Sequence, residues 1–304
     1  IEGGDFTLKA DAQGSYKTTL SGVNKISKAL RRQIRDKEIN QAELKSKLPV
    51  AHLVLNTGNG NILSSILAKN GIKFKTANID VKSSPVEGLN GGAIIDSLVY
   101  KDYTIDSLNL VLNSQDNKLK YNPALLNDAQ NSYPYKGYID GTFYEKGILA
   151  NVKILDTSER TAIDLGLRAA MHGEGIMSSI TTQQSILGYK KFDVNDANYV
   201  YIGKDRRISA NVKLLATDGA GAEIYTDDED STSLQNITLG MHNFELGKLM
   251  TVLPFAPKIS GTLNGDYHVI QTKDELTVAS DMSVKNMIYD DCPMGNVGTN
   301  FVYI

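Results

Sequence analysis

Alternation of apolar and polar residues at period two runs through most of this chain, and it marks strands with one covered face and one wet face. Phe6, Leu8, Ala10 and Ala12 open the pattern, and Leu108, Leu110 and Leu112 repeat it. The longest clean run is Ile163, Leu165, Leu167, Ala169 and Met171, with Asp164, Arg168 and His172 in the opposite phase. Ile208 to Ala216, Ile259 to Val269 and Leu276 to Met282 follow the same rule. Between the runs stand Asn90-Gly91-Gly92, Glu145-Lys146-Gly147, Asp218-Gly219 and Asn264-Gly265. Gly and Asn supply the positive φ of tight β connections, so these four read as turns. The expectation is an extended meander, sandwich, barrel or solenoid of strands.

Helices are few. Val23, Ile26, Leu30 and Ile34 recur at helical spacing after Ser21, an N-cap residue type, with Lys25, Lys28, Arg31, Arg32 and Arg35 on the far face. A basic amphipathic helix can lie on an anionic membrane, although a solvated charged face is the plainer reading. A second short helix is expected over 61–70, with Ile62, Leu63, Ile66 and Leu67 inward and Gly71 as its stop. A third is expected over 246–253, ending at Pro254. Such helices in a β chain commonly plug an open edge or end. The segment Ile139-Asp140-Gly141-Thr142-Phe143 is echoed by Ile259-Ser260-Gly261-Thr262-Leu263, which points to stacked, similar β units. Two parts are expected. Residues 1–130 form a β-rich unit with helices near 22–37 and 61–70, and 131–304 carry further β repeats with a helix near 246–253.

Composition narrows the function. The 304 residues hold 32 Lys+Arg against 35 Asp+Glu, a balance that argues against a general nucleic-acid binder. One cysteine, Cys292, allows neither an intramolecular disulfide nor a cysteine zinc cage. It has no neighbouring Lys or Arg to depress its thiol pKa, so it reads as structural rather than nucleophilic. The four histidines, His52, His172, His242 and His268, stand far apart and in no metal-ligand spacing. Gly58-Asn59-Gly60 and Gly219-Ala220-Gly221 lack the full dinucleotide fingerprint, and no nucleophile elbow or phosphate-binding loop is present. Asp227-Asp228-Glu229-Asp230 is dense in carboxylates but lacks the spaced ligands of a calcium loop and reads as a solvated turn. The reading is of a protein without catalytic residues, cofactor or metal.

The pattern itself remains. A long sheet with one apolar face and few helices either closes on itself or leaves a hydrophobic trough, and exposed strips of that size mark a ligand or partner site. An acyl chain suits such a strip, held by non-directional burial at about 0.8 kcal/mol per methylene.

The stretch Leu253-Pro254-Phe255-Ala256-Pro257-Lys258-Ile259-Ser260-Gly261-Thr262-Leu263-Asn264-Gly265-Asp266-Tyr267 resembles an element that recurs in the TamB family of AsmA-like proteins from Gram-negative bacteria. So do Met294-Gly295-Asn296-Val297-Gly298 with Phe301-Val302-Tyr303, Ser84 to Gly91, Leu48-Pro49, and Ile186 to Asn195. The resemblance implies an elongated antiparallel sheet curled into an open β-taco. It implies a periplasmic segment of a parent protein anchored in the inner membrane, which carries phospholipid between inner and outer membranes and supports outer-membrane biogenesis. Docking on an Omp85-type outer-membrane barrel would fall to parts of the parent outside this chain. Ile1 in place of Met and the strand-like close Phe301–Ile304 fit an interior piece with its anchor elsewhere.

The expected groove lining is the set of in-phase apolar residues: Leu110, Leu112, Ile139, Phe143, Ile163, Leu165, Leu167, Val212, Leu214, Ile259, Leu263, Val278 and Met282. For each, the bland alternative is packing beneath a helix or inside a closed sandwich. A structural or adhesive β-solenoid and a β-helical polysaccharide enzyme are the competing readings of the whole chain.

Overall fold

A computed structural model describes residues 2–3, 5–101, 103–227, 233–254 and 256–304, without the side chains of residues 2, 3, 16, 18 and 19. Phe255 of the family-like stretch and residues 228–230 of the acidic cluster lie outside the described residues. The protein is mainly β, its paired strands all antiparallel, and it divides into two compact units, Ile1–Glu159 and Arg160–Ile304. The point 130/131 falls in the connection between two strands that pair with each other, Leu119 opposite Phe143.

The first unit contains β1 (Glu2–Gly3), β2 (Phe6–Ala12), α1 (Tyr16–Asp36), α2 (Gln41–Ser46), β3 (Ala51–Thr57), α3 (Ile62–Lys69) and β4 (Ile72–Lys73). It continues with β5 (Thr76–Ser84), β6 (Gly88–Tyr100), β7 (Tyr103–Gln115), β8 (Lys118–Leu126), β9 (Tyr135–Tyr144) and β10 (Gly147–Asp156). Pairing follows the chain as a meander, β1-β2-β3-β5-β6-β7-β8-β9-β10, with β4 beside the far end of β6.

The second unit contains β11 (Thr161–His172), β12 (Gly175–Ile180), β13 (Gln184–Leu187), β14 (Lys190–Val194), β15 (Tyr199–Ile202), β16 (Ile208–Leu215) and β17 (Gly221–Thr226). After these come β18 (Gln235–Glu245), α4 (Leu246–Met250), β19 (Ile259–Gln271), β20 (Leu276–Tyr289) and β21 (Cys292–Tyr303). β11 pairs with β12 along one half and β13 along the other, and β16 takes β15 and β14 in the same way. From β16 to β21 the meander is unbroken.

Glu145-Lys146 and Asp218-Gly219 form the expected turns, while the other two turn signals lie inside strands, Asn90-Gly91-Gly92 in β6 and Asn264-Gly265 in β19. The reason is close backbone approach. Gly91 (φ +125°) and Gly265 (φ +123°) would each set a Cβ about 2 Å from a neighbouring strand's carbonyl oxygen, at 2.0 Å from Asp80 and 1.9 Å from Asp281. Glycine here lets a neighbouring strand approach closely instead of ending its own.

The helices also depart from expectation. α1 begins at Tyr16, so Ser21 lies within it and caps nothing. Its inward side is small and polar: Ala29 and Gln33 are buried, and a Cβ at Gly22 would sit 3.2 Å from the Pro49 Cβ. Val23, Leu30 and Ile34, expected inside, face solvent. α3 ends as expected at Gly71 (φ +78°), but Ile62 and Ile66 are exposed. Its cap fixes the rotation. Asn61 and Ser64 form a reciprocal capping box, and the Asn61 amide also donates to Asp5 Oδ1 at 2.8 Å and Thr57 Oγ1 at 2.8 Å, which turns Ser64 inward. Asn61 and the Gly60 N–H together hold the Asp5 carboxyl below its ordinary pKa. α2 went unforeseen, although Asn40 followed by Glu43 carries the spacing of a capping signal, and the Glu43 N–H donates to Asn40 Oδ1 at 3.0 Å.

Candidate functional site

Strand register decides which alternating residues share a face, because residues directly opposite each other on paired strands point the same way. In the first unit Leu8, Leu55, Ile79, Ala93, Leu110 and Pro123 fall into one row across six strands. The adjacent row runs Ala10, Leu53, Val81, Gly91, Leu112, Tyr121, Gly141 and Ala150. Ile139 faces Val152, and Phe143 lies between Leu119 and Ile148. All four residues expected to line this part, Leu110, Leu112, Ile139 and Phe143, thus stand on one apolar face. Tyr121 stands there too, and burial holds its phenol above the usual pKa. The other face is polar: His52 Nε2 meets Asp80 Oδ1 at 2.8 Å, and Asn122 donates to Asp140 Oδ1 at 3.1 Å.

The second unit repeats the arrangement. Val212, Ile224, Leu239, Tyr267, Ser280 and Phe301 form one row, and Leu214, Ala222, Met241, Gly265, Met282 and Thr299 the next. Ile237, Val269, Val278 and Tyr303 form a third. Ile163 opposes Leu187 and Leu167 opposes Ile180, with Leu165 in the same phase between them. The opposite face carries Lys213 and Glu223 (3.9 Å), Asp266 opposite Asp281, and His268 Nδ1 at 2.9 Å from Thr238 Oγ1.

Of the thirteen expected residues only Ile163 is fully buried, Leu167 is 41% exposed, and the other eleven are half-buried. Three of the thirteen, Leu214, Ile259 and Leu263, pack against the cluster at α4. There Phe192 and Phe244 stack at 5.8 Å between ring centroids, beside buried Ala216, Ala220 and Leu246. A polar rim borders this plug: Lys190 Nζ reaches Asp218 at 2.8 Å and Glu245 at 3.8 Å, and Lys248 reaches Glu245 at 3.0 Å. Hydrogen bonds from Lys190 and the Ala220 N–H keep the Asp218 carboxyl below the ordinary carboxylate range.

The apolar face of each unit also includes residues outside the expected set, among them Leu55 and Ile79 in the first and Ile224, Leu239, Tyr267 and Phe301 in the second. Leu53/Leu55 and Ile79/Val81 carry the same period-two signal in shorter strands. Gly141 and Gly261 of the echoed segment both lie in the first strand of a hairpin, for different reasons. A Cβ at Gly141 would strike the Tyr121 ring, whereas Gly261 (φ +131°) sits at a register shift between β19 and β20.

A cleft of about 460 Å³ in the second unit is lined by Glu174, Lys204, Asp205, Arg207 and Gln235, a mixed and polar set. Among the described residues no three of His, Cys, Asp and Glu gather to hold a metal ion, and no helix is long and apolar enough to cross a membrane. Cys292 is exposed at the start of β21. No family model, curated protein or solved structure matches this chain.

Proposed function

We propose that this chain is a segment of a TamB-like, AsmA-type envelope protein whose sheet curls into an open trough carrying phospholipid acyl chains between inner and outer membranes. The segment works in the periplasm, within a parent protein anchored in the inner membrane, and any Omp85-type barrel is engaged by other parts of that parent. Support comes from one observation above the rest: in each unit the expected lining residues share an apolar face that runs across the strands, and all but Ile163 keep some exposure to water. A row of six side chains at about 4.8 Å per strand extends about 24 Å, long enough to lie along an acyl chain. Each methylene covered there contributes about 0.8 kcal/mol. Such burial needs no ionic pair and no hydrogen-bond code, which fits a conduit that passes its cargo along. The headgroup stays at the wet margin, where its charge keeps its hydration.

The test is lipid content. The chain, produced in the periplasm of a Gram-negative host and purified without detergent, is extracted and its lipids identified by mass spectrometry. Co-purified phospholipid is the expected result. A lipid-free protein that also fails to take up a fluorescent acyl-chain probe would favour a structural or adhesive solenoid.

A further inference from the structure

We propose that α1 is an interfacial helix that docks the first unit onto an anionic lipid surface. The 21 residues of α1 make a rod of about 31 Å with three separate faces. One rests on the protein through Gly22, Ala29 and Gln33. The second is an apolar stripe of Leu20, Val23, Leu30 and Ile34, which at 100° per residue falls within a sector of about 80°. All four are exposed, Ile34 to 66%. The third is basic and, in place of the far face expected, begins beside the stripe on one side: Arg31 lies about 20° from Leu20, Lys17 and Arg35 about 60°, Lys28 about 80°, with Arg32 and Lys25 farther round.

The charge on this helix names the occupant. α1 holds six cations, Lys17, Lys25, Lys28, Arg31, Arg32 and Arg35, and a single anion, Asp36. Arg32 is drawn to Glu43 and Glu38, and Arg35 to Asp36. Lys17, Lys28 and Arg31, among the cations that flank the apolar stripe, have no ion pair among the described residues. An exposed apolar stripe with cations along its margin is the makeup of a helix lying at the headgroup boundary of an anionic bilayer. Stripe-to-stripe docking of a second copy would bring two sets of these cations together, and like charges oppose it. The rigid seat of α1 keeps the stripe turned outward before any surface is met. This docking is independent of whether the sheet face carries lipid.

The test is vesicle flotation of the whole 304-residue chain with phosphatidylcholine alone and with phosphatidylcholine mixed with phosphatidylglycerol. Binding to the mixed vesicles, weakened by salt, is expected. Leu30→Ser with Ile34→Ser, both at exposed positions, should weaken it about tenfold or more. Lys28→Glu with Arg31→Glu should do the same and remove most of the salt dependence. Circular dichroism of each variant confirms retained folding. Equal binding to both vesicle types, or binding unmoved by either pair, would overturn the proposal. So would a wild-type chain that pairs with itself through this helix, shown by dimers that Leu30→Ser with Ile34→Ser dissolves. Leu165→Arg with Leu167→Arg, on the sheet, should leave vesicle attachment intact, which separates this docking from lipid carriage.

Discussion

Gln33 and Asn40 clasp each other through two hydrogen bonds: the Gln33 amide donates to the Asn40 carbonyl at 3.0 Å, and the Asn40 N–H donates to Gln33 Oε1 at 3.0 Å. Gln33 is 3% exposed and also donates to Glu43 Oε2 at 2.9 Å, so one buried amide ties the end of α1 to the start of α2. Gln33→Leu is of similar size and strips all three bonds. It should destabilise the first unit by about 1–3 kcal/mol, because the Asn40 N–H loses its partner and Glu43 loses a donor, while the Asn40 carbonyl still accepts from the Leu44 N–H. The denaturant midpoint, followed by helical circular dichroism, measures it.

Glu43 sits at the centre of the same junction, bonded by Lys47 and Gln33 and beside Arg32. Those hydrogen bonds, led by Lys47, pull its pKa from 4.5 to about 2. A carboxylate depressed on folding stabilises the folded state above its ordinary value, and that contribution fades as pH falls through the folded value. Thermal stability should therefore decline as acid is added from about pH 5 toward pH 2. Glu43→Gln should be less stable at neutral pH and flatten this decline, which parallel melting series of the two proteins would show.

Gly265→Ala tests the close approach of β20 to β19. A Cβ there would lie 1.9 Å from the Asp281 carbonyl oxygen at a φ of +123°. Backbone must move, and a loss of about 3 kcal/mol is expected by equilibrium unfolding. A change below about 0.5 kcal/mol would mean that β19 and β20 do not approach so closely.

Phe192 and Leu167 should answer truncation differently. Phe192→Ala empties a sealed site beside Phe244 and should cost about 3–5 kcal/mol. Leu167, already 41% exposed, should lose less than about 1 kcal/mol as Ala. Equal losses would place Leu167 in a dry core and argue against an open face.

Leu165→Arg with Leu167→Arg sets two cations on the apolar strip. Co-purified lipid should fall at least severalfold while the melting transition persists. Unchanged lipid content, read by mass spectrometry, would count against carriage along this face.

Period-two alternation marks β7 and β11 because a strand's two faces are written directly into consecutive residues. Turn chemistry also locates Asp218-Gly219, where the chain reverses locally. The same chemistry misleads at Asn90-Gly91 and Asn264-Gly265. There glycine answers to the backbone of a neighbouring strand, Asp80 in one case and Asp281 in the other, and nothing within a few residues announces that neighbour. α1 misleads in a related way. Its apolar stripe predicts an inward face, but the seat is made by Gly22 against Pro49 and Gln33 against Asn40, contacts that depend on where α2 and β3 lie.

The chain's own order of residues was enough to specify β class, antiparallel neighbours and two-faced strands, since alternation and short connections are local properties. Only tertiary structure decided which alternating residues line up into rows, and which of them pack into the cluster at α4, as Leu214, Ile259 and Leu263 do. Register is set by pairing between strands, and a shift of one residue would turn every side chain to the other face. Exposure follows from what lies above that face, and no single strand encodes its own cover.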